Sequence, residues 1–227
     1  MAIETESERE PLTRRAVVDA ALTIADEGGL DAVSVRKVAH ELGVTPMALY
    51  RYVESKEELL YAIAERAFEE FELPTDTTAD WREQIRELGR SFRRLLLAHP
   101  AIATLYSLHP SGISPNGARV VEVVLRVLRE AGFSARDAAQ LESACEQFVL
   151  ALVVIETHGE PRLNEEEIEA HTREVSARVA MLSPDEFPNV IDSGPHLCKY
   201  YHDPDQFFEL AFDLIVGGLE KLLEQPR

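Results

Sequence analysis

The sequence predicts an all-α fold, with an N-terminal three-helix domain built on a helix-turn-helix and a larger helical bundle behind it. Three observations predict this. Apolar residues recur at helical spacing along nearly the whole chain. Val, Ile and Thr form no long alternating runs, and turn signals do not recur at hairpin spacing. Caps, prolines and glycines punctuate the sequence as helix starts and stops.

Residues 1–11, MAIETESEREP, read as a disordered polar arm, and their lack of an apolar core excludes a signal peptide. A first helix spans Thr13 to Glu27, with Ala16, Val17, Ala20, Ala21 and Ile24 on its apolar face and Gly28-Gly29 as its stop. A second runs from Ser34 to Leu42, capped by Ser34, with Gly43 in the left-handed position after it. A third, Pro46 to Val53, takes Thr45 as N-cap and Pro46 as its first residue, where a missing N–H costs nothing. A fourth opens on a capping box, Ser55 with Glu58, and continues to about Phe71.

Pro74 and the Thr-rich stretch around it place a domain boundary at Leu73–Ala79, separating residues 12–72 from 80–225. A second box, Asp80 to Glu83, opens the next helix, which runs to His99-Pro100. A short helix to Leu108 and a loop over 109–115 follow. Further helices are expected over 116–131, 135–157, 165–181 and 205–223, the last announced by Asp203-Pro204-Asp205-Gln206.

The formal net charge is −18, which for the whole chain argues against nucleic acid. Its distribution reverses that argument. Residues 12–56 carry six basic and six acidic side chains, whereas residues 57–227 carry 16 basic and 31 acidic ones. A neutral segment on an acidic body suits DNA if its positive charges share one face. Cys145 and Cys198, far apart, form no disulfide framework and point to a reducing cytoplasm. The longest apolar run, Phe148 to Ile155, is about half a membrane span, so no membrane partner is expected.

The informative stretch is Ser34 to Val53, SVRKVAHELGVTPMALYRYV. Two short helices flank Gly43-Val44-Thr45, a turn that sends the second helix off steeply, as in DNA-binding helix-turn-helix units. Val35, Val38, Ala39, Leu42, Val44, Leu49 and Val53 fall where such a unit needs a core. Pro46, Met47, Ala48, Tyr50, Arg51 and Tyr52 then occupy the outward side of the second helix, which fits a major groove. Arg51 suits a guanine edge, Met47 and Ala48 suit thymine methyls, and Tyr50 and Tyr52 suit phosphate or sugar. Arg36 and Lys56 flank this helix and suit phosphates, Lys56 beside helix N-terminal amides. A plain helical hairpin with a surface Arg, Tyr and Lys has the same spacing.

Residues 12–71 resemble the N-terminal domain of the tetracycline-repressor (TetR) family. The resemblance rests on Arg15-Ala-Val-Val-Asp-Ala-Ala21, Glu27-Gly-Gly-Leu30, Ser34-Val-Arg-Lys-Val-Ala39, Leu42-Gly-Val44, Leu49-Tyr50, Tyr52-Val53 and Ser55-Lys-Glu-Glu-Leu-Leu60. Residues 81–223 resemble the regulatory domain of the tetracycline-repressor type, through Trp81-Arg-Glu, Leu96-Leu-Ala-His-Pro100, Pro115-Asn-Gly117, Ala131-Gly-Phe133 and Asp203-Pro-Asp205. The resemblance implies an all-helical homodimer, with a DNA-binding domain and a regulatory and dimerisation domain. A small-molecule effector would change the spacing of the two reading heads and release operator DNA. It also implies DNA contacts at Arg36, Thr45, Pro46, Met47, Ala48, Tyr50, Arg51, Tyr52 and Lys56. The positions matching the His and Glu that help hold a magnesium–drug chelate fall on Tyr106 and Ile155, poor magnesium ligands.

Phe92, Leu96, Leu105, Tyr106, Val124, Leu128, Phe148 and Leu152, with Ile102, read either as core or as the lining of an effector cavity between bundle helices. The helices near 135–157 and 205–223 carry apolar residues on wide arcs, which implies a second buried side, in a dimer interface or a large subunit core. Close helix approach would explain Gly217-Gly218 within the last helix.

Glu165, Glu166, Glu167, Glu169 and His171 read as a solvated helix start. His196, Cys198 and His202 fit no standard zinc spacing. No metal or cofactor is expected. With no nucleophile elbow or phosphate loop, an enzyme is not expected either. The competing reading is a helical ligand-binding or protein-interaction module that no longer reads DNA.

Overall fold

The computed structural model describes residues 11–108, 114–158, 164–197 and 203–224. Among these, every regular element is helical: α1 (Arg14–Gly28), α2 (Val35–Glu41), α3 (Pro46–Leu49), α4 (Lys56–Phe68), α5 (Trp81–Ala98), α6 (Pro100–Leu108), α7 (Pro115–Ala131), α8 (Ala135–His158), α9 (Glu165–Ala180), α10 (Pro188–Leu197) and α11 (Pro204–Glu224). A short 3-10 turn, Leu30–Ala32, follows α1 and was not expected.

In the head, α1 packs along α4, and α2 packs against α3. Val17, Ala21, Val38, Ala39, Leu49, Val53, Leu59 and Ile63 are buried where these helices meet. Caps set the helix starts: the Thr13 hydroxyl accepts from the Ala16 amide (3.1 Å), Ser34 from Lys37 (3.2 Å) and Ser55 from Glu58 (3.1 Å). Gly29 and Gly43 take positive φ after α1 and α2.

Several expectations need correction. Thr45 has the extended backbone of an N-cap, but its side chain makes no capping bond. α3 ends at Leu49 rather than Val53, and the chain continues as turn. The Ser55 box is shifted, because Glu58 accepts from the Glu54 amide (2.6 Å) rather than from Ser55. The Asp80 carboxylate takes the Arg82 amide (2.9 Å), and Glu83 pairs with Arg90 instead. α10 falls in a stretch read as loop, since Pro188, Gly194 and Pro195 are poor helix formers. α10 is supported by packing on α9, so close that a Cβ at Gly194 would lie 2.9 Å from Val179 Cγ1.

α5 is the axis of the body and packs against α6, α7, α8 and α11. On its polar flank, Arg86, Arg90 and Arg93 reach Asp213, Glu209 and Asp205 of α11. Head and body share one continuous core, because α4 also packs on α6 and α7 and α1 on α6. α8 is long and apolar enough to cross a membrane by length and composition, and here it packs on α5, α6, α7 and α11.

Candidate nucleic-acid interface and the cavity behind it

The head ties down most of its arginines and leaves one face bare. Arg14 is held by Glu58 (3.1 Å), Arg15 by Glu69 (3.0 Å), and Arg66 by Asp19 and Glu70 (2.7 Å each). Arg36 on α2, Arg51 after α3 and Lys56 at the start of α4 are exposed, and among the described residues none of them makes a hydrogen bond or ion pair. Between them lie exposed Thr45, Pro46, Met47 (75%) and Tyr50 (50%), with Ala48 half-buried. Three available cations around an apolar helix tip form an arrangement that meets phosphates at its edges and base edges at its centre.

Tyr52 departs from the expected reading face. It lies three residues after buried Leu49 and shares its inward stripe. Its hydroxyl donates to the Leu12 carbonyl (2.7 Å), and its own carbonyl accepts from Arg14 Nε (3.3 Å). The residue therefore fastens the turn after α3 to the start of α1.

Behind the head, a cavity continuous with solvent opens among α4, α5, α6, α7, α8 and α11. Phe68 and Phe71 line it from the α4 end, Ile85, Leu88, Gly89 and Phe92 from α5, and Tyr106 from α6. Gly117, Val120, Val121 and Val124 of α7, Glu142, Cys145, Glu146 and Val149 of α8, and Phe212 of α11 complete the wall. The ring centroids of Phe68 and Phe92 lie 5.5 and 6.4 Å from that of Tyr106. Gly89 is required: a Cβ there would lie 2.3 Å from Phe212 Cζ.

Of the residues read from sequence as possible lining, Phe92, Tyr106 and Val124 face this space. Leu96, Ile102, Leu105 and Leu128 are packed into the core instead, and Phe148 and Leu152 are half-buried on α8 outside the cavity wall, Leu152 packed against the core one turn beyond Val149. The α8 stripe that reaches the cavity is 142, 145, 146 and 149, the helical i, i+3, i+4, i+7 pattern. A search for apolar lining passes over it because three of its four members are Glu, Cys and Glu.

That stripe is electrostatically unusual. Burial raises the Glu142 carboxyl. Burial and the neighbouring Glu142 push Glu146 up to about 7 and the Cys145 thiol to about 11. Burial, then Glu146, Glu142 and Glu65, raises the Tyr106 phenol.

Two polar junctions join the head to the body. Both Glu65 carboxylate oxygens of α4 accept from the Asn116 amide of α7 (3.0 Å), and Asn116 Nδ2 donates to the Glu65 carbonyl (3.1 Å). His99, after α5, lies between Asp26 of α1 (2.7 Å) and Glu70 after α4 (3.2 Å). The Asp26 bond leads in raising its imidazole above the ordinary value, burial opposes it, and Glu70 adds to it.

Residues 17–63 match the family described as bacterial regulatory proteins, tetR family, and residues 73–223 match the tetracyclin repressor-like C-terminal domain. The chain belongs to the tetR family. It is a DNA-binding transcriptional repressor. The Escherichia coli tetracycline repressor protein class C is 32% identical, over 93% of this chain and 92% of that protein. The tetR-family protein ActR of Streptomyces coelicolor, in a crystal structure with actinorhodin, is 30% identical. It superposes with a TM-score of 0.79 over 93% of this chain and 98% of its own. BioQ, crystallised with its natural double-stranded DNA operator, is 37% identical, with a TM-score of 0.59 over 66% of this chain and 90% of its own.

Among the described residues, no group of three or more His, Cys, Asp or Glu side chains is placed to hold a metal ion. Cys198 and His202 lie outside the described residues. At the acidic start of α9, Glu167 completes a capping box with Asn164, a structural use of that carboxylate. Tyr106 lines the cavity, whereas Ile155 is 53% exposed on another face of α8.

Proposed function

We propose that the chain works in the cytoplasm as a homodimer that binds double-stranded operator DNA through residues 12–72 and is released when an effector fills the cavity whose wall comes from residues 80–225 with Phe68 and Phe71 at its head end. The observation that carries the DNA part is the set of unpaired Arg36, Arg51 and Lys56 around α3, in a head whose Arg14, Arg15 and Arg66 are paired. Arg51 reads a base edge, with Pro46, Met47 and Ala48 against apolar base surface. Arg36, Thr45, Tyr50 and Lys56 hold the backbone. Tyr52 acts as a positioning residue through its bond to Leu12.

The dimer is supported by apolar surface that one chain leaves bare. Leu214 is 72% exposed, Leu210 60% and Ile155 53%, on the packed pair α8 and α11. Nothing lies within 4 Å of a Cβ built at Gly217 or Gly218, so neither glycine is explained within the single chain. A second copy laid on this face makes a four-helix interface and covers both.

α4 connects effector to operator. Its C-terminal end supplies Phe68 to the cavity, Glu65 binds α7, and its N-terminus carries Lys56. An effector that shifts α7 or Phe68 moves α4, and with it the reading head.

Gel shifts with DNA flanking the chain's own coding region test the reading. A retarded band at low salt, weakened steeply as salt rises, is expected. No shift from folded dimer, or a shift without salt dependence, sinks it.

A further inference from the structure

An ionised carboxylate in an apolar cavity is costly unless a cation stands beside it. α8 incurs that cost twice within one turn. Glu142 and Glu146 both line the cavity, flanking Cys145. Among the described residues no ion pair engages either of them, and the hydrogen bond at Glu142 comes from the adjacent Ser143 hydroxyl (3.3 Å). The same helix shows the ordinary solution at Glu156, whose carboxylate meets the Arg93 guanidinium at 3.0 Å with both side chains buried. The rest of the described wall supplies no counter-charge: α5, α7 and α11 contribute apolar side chains and glycine, and α6 contributes Tyr106. It supplies aromatic faces instead, from Phe68, Phe92, Tyr106 and Phe212, and such faces attract cations.

We infer that the cavity takes a cationic, amphipathic effector, with a planar apolar body among the aromatic rings and its positive group against Glu142 and Glu146. The inference rests on reading the cavity as the effector site. Carboxylates without a cationic partner also select by repulsion, since an anionic ligand would add a third negative charge to the same apolar wall.

The inference has a pH signature. The charged group acting on Glu146 is Glu142 on α8, Glu146 in turn acts on the Tyr106 phenol of α6 beside Glu65 of α4, and Cys145 lines the same wall; none of these groups is positive. With Glu146 held at about 7, an incoming cation expels its proton, so cation affinity rises as pH rises through that value.

Calorimetric titration of the full-length protein, without DNA, tests this with three planar tricyclic probes of matched shape. These are aminoacridinium (cation), anthracenemethanol (neutral) and anthracenecarboxylate (anion). Above neutral pH aminoacridinium is expected to bind about tenfold tighter than anthracenemethanol, with anthracenecarboxylate weakest. The double variant Glu142→Gln, Glu146→Gln should lower the cation-to-neutral affinity ratio about tenfold and flatten its rise with pH. Glu146→Gln alone, which keeps the test decisive should the double variant misfold, should lower the ratio roughly threefold. A cation bound no better than its neutral or anionic counterpart, or a ratio unmoved by Gln, overturns the assignment and leaves the cavity as the effector site. Failure of all three probes overturns both, while operator binding by gel shift is judged separately.

Discussion

Head and body leave opposite things uncovered. In the head, most apolar residues are packed and three of the five arginines are paired, and what remains bare around α3 is Arg36, Arg51 and Lys56 about the exposed Met47 and Tyr50. In the body, the Arg86–Arg90–Arg93 flank is paired to α11, and what remains bare is apolar: Leu210, Leu214 and Ile155 outside, an aromatic cavity inside. The difference tells the partners apart. A polyanion needs available cations on a rigid frame, and a second copy or an effector needs apolar surface and space.

The comparison breaks most severely at the outer apolar face. Leu210→Glu with Leu214→Glu puts four like charges into a symmetric interface, so sedimentation should show a monomer. Operator affinity should fall by about two orders of magnitude, because one head makes half the contacts. A dimer that survives both changes removes this face from the interface.

Next in size is the buried pair inside the body. Glu156→Gln weakens the bonds to Arg93, which keeps Asp205 at 2.6 Å, and urea unfolding should register a loss of about 2 kcal/mol. Glu146→Gln on the same helix should raise Tm at pH above about 7, since it removes a charge without stranding another. Equal effects at the two positions would dissolve the contrast between paired and unpaired carboxylates.

At the reading face, Arg51→Ala should cost about 1–3 kcal/mol of discrimination and relax preference at one base position. Lys56→Ala should weaken all sequences alike and lower the salt slope by about one. Competition gel shifts across a set of operator variants separate the two. A uniform loss from Arg51→Ala would move that residue from base to backbone.

The smallest effect lies where head meets body. The His99 imidazole is raised by Asp26, so its protonated form is favoured in the folded chain. Its contribution is complete below the unfolded value near 6.5 and is lost as pH rises through the higher folded value. Urea unfolding of wild type against His99→Gln across that range should show the two curves converging toward alkaline pH. Curves that stay parallel would mean the histidine acts by packing alone.

Much of the head was legible because its signals are local. Thr13, Ser34 and Ser55 cap within three residues of themselves, Gly29 and Gly43 close turns, and the turn at 43–45 sets α3 apart from α2. Tyr52 was misplaced because α3 is shorter than its spacing suggests and because its hydrogen-bond acceptor, Leu12, is 40 residues away. The cavity was half legible. Phe92, Tyr106 and Val124 follow from apolar spacing, whereas Leu96 and Leu128 have the same chemistry and spacing but face the core. Which side of a wholly apolar arc meets a void depends on neighbouring helices, and sequence period carries no record of them.

By itself the sequence determined the helical class, the helix-turn-helix and, Tyr52 apart, its outward residues, since these follow from caps, turns and period within about 20 positions of chain. Only the tertiary structure decided which arginines are spent on Glu58, Glu69, Asp19 and Glu70 and which remain for a partner. It alone brought Glu142 and Glu146 of α8 against aromatic rings of α4, α5, α6 and α11. Local order comes from short-range hydrogen bonds and backbone preference. The environment of a charge comes from residues distant in sequence, and that environment sets its availability, its ionisation and the chemistry it can receive.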